Sequence, residues 1–214
     1  DHLGMSGVVR CVDFWCVAYG DLAALTQDEF LHELASGVGG HVLQPEELAS
    51  RSLPALASNE RLAFGRHQLL KKVDLQGTTR AAWTTSPRSI LVAVTLDPRF
   101  QHDGEFANRW QTFQRNEAGE LEPHQQGPFG GAGGYIKLTA IRDSDEPVAG
   151  VGPLLVEGHF VFFEPRDWFQ GANLLGAKLP ALIQAEIRRM RKTIAKTTRP
   201  ESATVGSEPS APSN

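Results

Sequence analysis

The stretch Leu154-Leu-Val-Glu-Gly-His-Phe-Val-Phe-Phe-Glu-Pro165 decides how the chain is organised, because it has a strand pattern with two ionisable residues inside it. Aliphatic and aromatic residues dominate it, as is typical of a buried strand. Alternate residues of a strand share a face, so Glu157 and His159 stand side by side. The sequence therefore predicts a strand over residues 154–164 that carries an acid and an imidazole on one surface.

Three further segments have the composition of strands. Residues 78–85 surround Trp83, and residues 89–96 are apolar on both faces and end at Asp97-Pro98, which indicates a central strand. Residues 135–141 form the third segment. A polar connection of moderate length joins this segment to residues 154–164, so the two are expected to pair antiparallel.

Residues 104–115 fit two structures. In one, residues 108–115 pair with residues 120–124 through a type I turn at Asn116-Glu-Ala-Gly119. In the other, a helix begins at Asp103, because three aromatic residues recur at helical spacing: Phe106, Trp110 and Phe113. The sequence does not distinguish the strand pair from the helix.

Short helices are predicted in the first third of the chain. Thr26-Gln-Asp-Glu29 is a capping box, which predicts a helix with an apolar stripe at Phe30, Leu31 and Leu34. A helical turn is expected at Pro45, where proline suits the first helical position. Residues 53–64 are expected to form a third helix.

The C-terminal helix has the clearest pattern. One stripe carries its apolar residues: Leu179, Leu182, Ile183, Ile187, Met190 and Ile194. Pro180 suits its first turn, and the helix is expected to end near Lys196. Strands without long helices between them predict an α+β fold, mainly antiparallel sheet or sandwich, with short N-terminal helices and this C-terminal amphipathic helix.

The predicted domain organisation is simple. Residues 1–25 form an N-terminal segment of uncertain structure, residues 26–197 form a single α+β domain, and residues 198–214 form a disordered Ser/Pro-rich tail. The chain has 214 residues, 41% of them hydrophobic, which is enough for one domain with a core. It has no run of about twenty apolar residues, so no transmembrane segment is predicted.

The composition and motifs of the chain limit the kinds of partner that are expected. The formal net charge of −4 argues against a nucleic acid as partner and leaves a protein or an anionic surface. Cys11 and Cys16 belong to no Cys/His cluster, so no metal site is predicted, and no motif indicates a cofactor. Residues 129–135 are rich in glycine, but a strand rather than a helix follows them, so they do not match a phosphate-binding loop. The sequence does not indicate a cellular compartment.

Glu157 and His159 are the candidate catalytic residues. Both groups can exchange protons near neutral pH, and Asp167 could orient the imidazole, which would suit a hydrolase or another acid/base enzyme. The competing interpretation is a structural ion pair on a half-covered sheet, and it is favoured because such pairs are common outside active sites.

Two regions are candidate binding surfaces. Trp168 and Phe169 would stack on a ligand or anchor a partner if they were exposed, but burial against the C-terminal helix is favoured. Four bases on that helix could contact an anionic membrane or another polyanion, or could simply be solvated: Arg188, Arg189, Lys192 and Lys196. The leading hypothesis is a non-enzymatic binding or structural module, with an enzyme and a peripheral polyanion contact as alternatives.

Overall fold

The structure is a computed structural model that describes residues 6–36, 40–141, 150–169 and 172–198. It contains nine strands: β1 Gly7–Gly20, β2 His41–Val42, β3 Glu60–Leu69, β4 Val73–Thr85, β5 Ser89–Leu96, β6 Arg109–Arg115, β7 Leu121–Pro128, β8 Ala132–Ala140 and β9 Gly152–Pro165. Its α-helices are α1 Leu22–Leu25, α2 Asp28–Ser36, α3 Pro45–Ser50 and α4 Leu174–Thr197. Short 3-10 turns lie at Pro98–Phe100 and Arg166–Phe169.

The strands form one antiparallel sheet in the order β1-β9-β8-β5-β4-β3-β2. The long strand β4 pairs along one edge with two strands in succession. β5 takes residues 79–85 of that edge, and β6 takes residues 73–76. The mainly antiparallel α+β fold predicted from the sequence is therefore confirmed.

The side chain of Asn108 joins the end of β5 to the start of β6. Its Oδ1 accepts from the backbone N–H of Thr78 at 2.8 Å, and its Nδ2 donates to the carbonyl of Asp97 at 2.7 Å. Its own backbone N–H and C=O bond to Phe100 and Phe129. Asn108 is 1% exposed, so each of these groups depends on it for a partner that water would otherwise supply.

One face of the sheet carries the main core. α1, α2 and α4 cover this face, where Leu25, Phe30 and Ile194 pack on residues of the central strands. A second buried cluster continues it towards β6, with Trp110 and Trp168 among its members. The sheet is thus a two-layer structure over most of its length, with α1, α2 and α4 on this side.

Among the described residues, the opposite face is covered only near β3. There α3 and the segment between β5 and β6 bury a third cluster: Leu43, Leu48, Leu62, Phe64, Phe100 and Phe106. Further along the sheet, on β1, β9 and β8, the same face carries exposed side chains. We call the part formed by β1, β9 and β8 the open face.

Several sequence expectations are confirmed. Residues 89–96 form a strand between two neighbours, 135–141 pairs antiparallel with 154–164, and the C-terminal helix ends at Thr197. The turn at residues 116–119 closes through a hydrogen bond from Gly119 N to Asn116 O. The glycine-rich segment leads into β8, where Gly134 has no room for a Cβ because His159 O would lie 2.2 Å from it.

Two expectations were wrong. Pro180 does not lie in the first turn of the C-terminal helix, because α4 begins at Leu174 and Pro180 lies inside it. Residues 53–64 are not a helix: β3 begins at Glu60, and Leu62 and Phe64 alternate with residues of the other face. Of the two structures that the sequence allows for residues 104–115, the protein has the strand, because β4 and β7 supply hydrogen-bonding partners on both edges of residues 109–115. The predicted tail, from residue 199 onward, lies outside the described residues.

We expect Asn108→Ala to lower the free energy of unfolding by about 2 to 4 kcal/mol, because two buried backbone groups lose their partners. Urea unfolding at neutral pH measures the loss. Gln114→Ala on the exposed part of β6 is the control and should stay within about 0.5 kcal/mol of the parent. Equal losses in the two variants would show that Asn108 is not a structural joint.

Arg51 and Asp103 connect α3 to the segment before β6. The guanidinium donates from Nε to Asp103 Oδ2 at 2.7 Å and lies 4.5 Å from the ring centre of Phe106. The hydrogen bond from Arg51, together with backbone N–H groups, lowers the pKa of Asp103 to about 2 against the opposing effect of burial. This carboxylate therefore stabilises the fold above its unfolded pKa, and the contribution disappears as the pH falls towards 2.

Asp103→Asn should consequently destabilise the protein at neutral pH and less so in acid. The measurement is the free energy of unfolding of both proteins from pH 6 to pH 2, in which the difference should shrink below about pH 4. A difference that is constant over this range would contradict a charged role for Asp103.

Candidate functional site

The open face carries exposed aromatic and aliphatic side chains that the helices do not cover. On β1 these are Trp15 and Tyr19, each 66% exposed, with Val9 and Val17. Tyr135 on β8 adds a third exposed aromatic ring. Large apolar side chains that remain in water at neighbouring positions are a mark of an interaction surface rather than of a covered core.

Glu157 and His159 lie on this face, side by side as the sequence predicts. His159 Nδ1 is 2.5 Å from Asp13 Oδ1 on β1, and its ring stacks on Tyr135 with 5.8 Å between ring centres. Glu157 Oε2 lies 3.9 Å from Lys137 Nζ on β8. Each ionisable group is thus matched with an opposite or complementary group on the adjacent strand.

Asp167 does not contact this pair. It is exposed in the turn Arg166–Phe169, beyond the end of β9, and the strand from His159 to Pro165 spans about 20 Å. The carboxylate that orients His159 is therefore Asp13, which sequence reasoning could not select because it lies 146 residues away.

The arrangement could hold a histidine tautomer and move a proton, as a carboxylate–imidazole pair does in general acid/base catalysis. However, the side chains of His159 and Asp13 are 39% and 48% exposed and so remain in contact with water. Neither residue borders a described cleft. A catalytic role for Glu157, His159 and Asp167 stays a prediction. Within the described ranges, no three ligating side chains are grouped to hold a metal ion.

The aromatic turn is buried, which was the favoured interpretation. Trp168 is 2% exposed and Phe169 is 7% exposed, and Trp168 packs on Phe129 with 5.8 Å between ring centres. Both rings join Leu175 of α4 in the second core cluster. They fasten α4 to the sheet and leave little ring surface for a ligand.

The basic residues of α4 face solvent. The four predicted contact residues are all exposed: Arg188, Arg189, Lys192 and Lys196. Arg189 Nη2 pairs with Glu186 Oε2 at 2.5 Å, so part of the positive charge is balanced. A polyanion contact through this helix stays a prediction. Over the described part of the chain, no helix has the length and hydropathy needed to cross a bilayer.

The strand β1 is the feature that sequence reasoning missed. Five of the nine large apolar side chains that are exposed in the described residues belong to it: Val8, Val9, Trp15, Val17 and Tyr19. The available signal was the alternation of Val9, Trp15, Val17 and Tyr19 at odd positions, a strand period that the two intervening charges disguised.

β1 is also an edge of the sheet. It pairs only with β9 among the described strands. Arg166 N donates to Ser6 O, and Phe163 N, opposite Val9, donates away from β1 to Gly131 O. Because N–H and C=O groups alternate sides along a strand, the even-numbered residues of β1 bond to β9 and the odd-numbered residues direct theirs outward.

The other free edges are shorter or interrupted. β2 has two residues, the part of β3 beyond it is the five-residue stretch 65–69, and β7 carries Pro123 and Pro128 among mostly polar residues. Short length and proline are the usual means of preventing an edge from pairing. β1 has 14 residues without proline, and only Arg10 and Asp13 are charged.

No known family model and no curated protein matches the sequence. Solved structures with a partial likeness include the Mll3558 protein from Rhizobium loti, at 10% identity and a TM-score of 0.39, covering 90% of this chain and 99% of that one. A putative uncharacterized protein from Rhizobium leguminosarum is similar at 9% identity and a TM-score of 0.36, covering 88% and 99%.

Proposed function

We propose that this chain is an interaction module that assembles with a second copy of itself through strand β1. The observation that supports this proposal is the combination of a 14-residue unprotected edge with the largest group of exposed apolar side chains in the described residues. The proposal develops the binding or structural module that the sequence favours and places its interaction surface on β1.

An unpaired edge of this length provides both affinity and direction. Its outward N–H and C=O groups extend over about 46 Å and are ready to bond to another strand. Antiparallel addition of a strand would satisfy these groups and would also cover the side chains of Trp15 and Val17 in part. Main-chain hydrogen bonds combined with side-chain burial are the basis of strand addition in known complexes.

A second copy suits this edge because β1 is complementary to itself. With a two-fold axis at Phe14, antiparallel pairing places Val9 opposite Tyr19, Cys11 opposite Val17, and Asp13 opposite Trp15 of the second copy. The two outer pairs then bring apolar residues together, and the outward-directed odd residues pair with each other. A register centred on Asp13 would bring two like charges together, which disfavours it.

Val17→Lys should weaken dimer formation by about tenfold or more, because it places a desolvated charge in the interface twice. Sedimentation analysis across the micromolar range measures the dissociation constant. Leu121→Lys is the matched control, since Leu121 is 53% exposed on β7, far from β1 in the strand order, and it should leave association unchanged. A parent protein that stays monomeric, or equal effects of the two lysines, would refute the proposal.

Backbone pairing predicts a pattern of amide protection along β1. In the dimer, amides of odd-numbered residues such as Cys11, Asp13 and Trp15 should exchange with solvent more slowly as concentration rises. Amides of even-numbered residues such as Val12 and Phe14 bond to β9 in either state and should not respond. Hydrogen exchange followed by NMR at two concentrations shows the difference, and uniform protection along β1 would point away from edge pairing.

A further inference from the structure

A polar cleft of about 360 Å³ lies at the other end of the sheet from β1. β3, β4, β6 and β7 contribute its lining, which includes two arginines, four glutamines and one aspartate. Three strands separate its nearest strand, β4, from β1 in the sheet order: β9, β8 and β5. This cleft is therefore a feature independent of the proposed dimer edge.

The first row of side chains across the cleft runs Arg66, Gln76, Arg109. Arg66 on β3 pairs with Gln76 on β4, which pairs on its other edge with Arg109 on β6. Residues that are directly opposite in a sheet place their side chains on the same face. The two arginine backbones are thus about 10 Å apart, two strand spacings, and their long side chains can reach one ligand.

Both arginines lack a carboxylate partner within the described residues. The guanidinium of Arg66 lies 5.7 Å from the ring centre of Phe64, and Arg109 is exposed. Four other arginines each hold an acid within 2.7 Å: Arg10, Arg51, Arg80 and Arg99. The planar guanidinium matches carboxylate and phosphate oxygens in two parallel hydrogen bonds.

The second row runs Gln68, Asp74, Gln111, Gln126 on the same face. Gln68 Nε2 donates to Asp74 Oδ1 at 2.9 Å, so one amide is engaged by the single acid of the cleft. Glutamine amides both donate and accept, which suits hydroxyl groups next to an anionic group. Two arginines against one aspartate leave the cleft with a positive formal balance.

We propose that this cleft binds a small organic oxyanion, a molecule with a carboxylate or phosphate group and neighbouring hydroxyl groups. Arg66 and Arg109 bind the anionic group from two sides, and Gln76 lies between them. The glutamines of the second row contact the polar remainder of the ligand. Asp74 opposes the binding of anions and so limits how much negative charge the cleft accepts.

The test is a titration of the full chain with inorganic phosphate and, separately, with malonate, followed by NMR signals of the backbone amides and of the arginine Nε–H groups. Signals of Arg66 and Arg109 should shift with at least one of the two probes. The probe that binds more tightly identifies the anionic group as phosphate or carboxylate.

Four variants make the outcome decisive. Arg66→Gln and Arg109→Gln should each weaken binding by about tenfold or more, whereas Arg191→Gln on the exposed face of α4 should leave it unchanged. Asp74→Asn keeps the acceptor for Gln68 and removes the negative charge, so it should tighten binding. The absence of binding to both probes, or unchanged affinity in both cleft arginine variants, would overturn the proposal.

Anion binding and dimer formation are tested independently of each other. The cleft variants lie outside β1, so their sedimentation behaviour should match that of the parent. Loss of association in Val17→Lys with intact anion binding, or the reverse, separates failure of one proposal from failure of the other.

Discussion

The buried amide of Asn108 is the interaction on which the architecture depends. β4 is longer than either strand that pairs with its second edge, and a gap exists at Thr78 between β5 and β6. Asn108 fills that gap by hydrogen bonding to both sides of it. Because the groups are buried, the bonds cannot be exchanged for water, and the two halves of the sheet stay in one register.

This joint gives the sheet two different ends. At one end, the sheet continues away from the hairpin of β6 and β7 through β5, β8 and β9 to β1. β1 forms the edge there and carries exposed apolar side chains. At the other end, the hairpin continues β4 and forms the polar cleft. Among the described helices, α1, α2 and α4 cover one face of the sheet, and α3 covers the other face near β3. The chemistry of the open face and of the two ends is therefore available to partners.

The catalytic candidates illustrate how far the sequence reaches into the site. The strand period places Glu157 and His159 on one face, and the structure has them there. The partners Asp13 and Lys137 come from other strands, and no local pattern relates them to β9. The burial of Trp168 and Phe169 was favoured on composition alone, since a large ring next to an apolar helix stripe finds its lowest free energy in the core.

Local patterns determined the strands with strong composition, the turn at residues 116–119 and the C-terminal helix, because period, turn residues and amphipathicity act over a few positions. Tertiary structure decided the rest. Residues 60–64 form a strand because β4 offers them hydrogen-bonding partners. β1 lies at an edge of the sheet because it pairs with β9, which is distant from it in sequence. Edges and cross-strand clefts arise from pairing between segments that are distant in sequence. The free energy of that pairing depends on the whole sheet, so no single stretch of residues determines it.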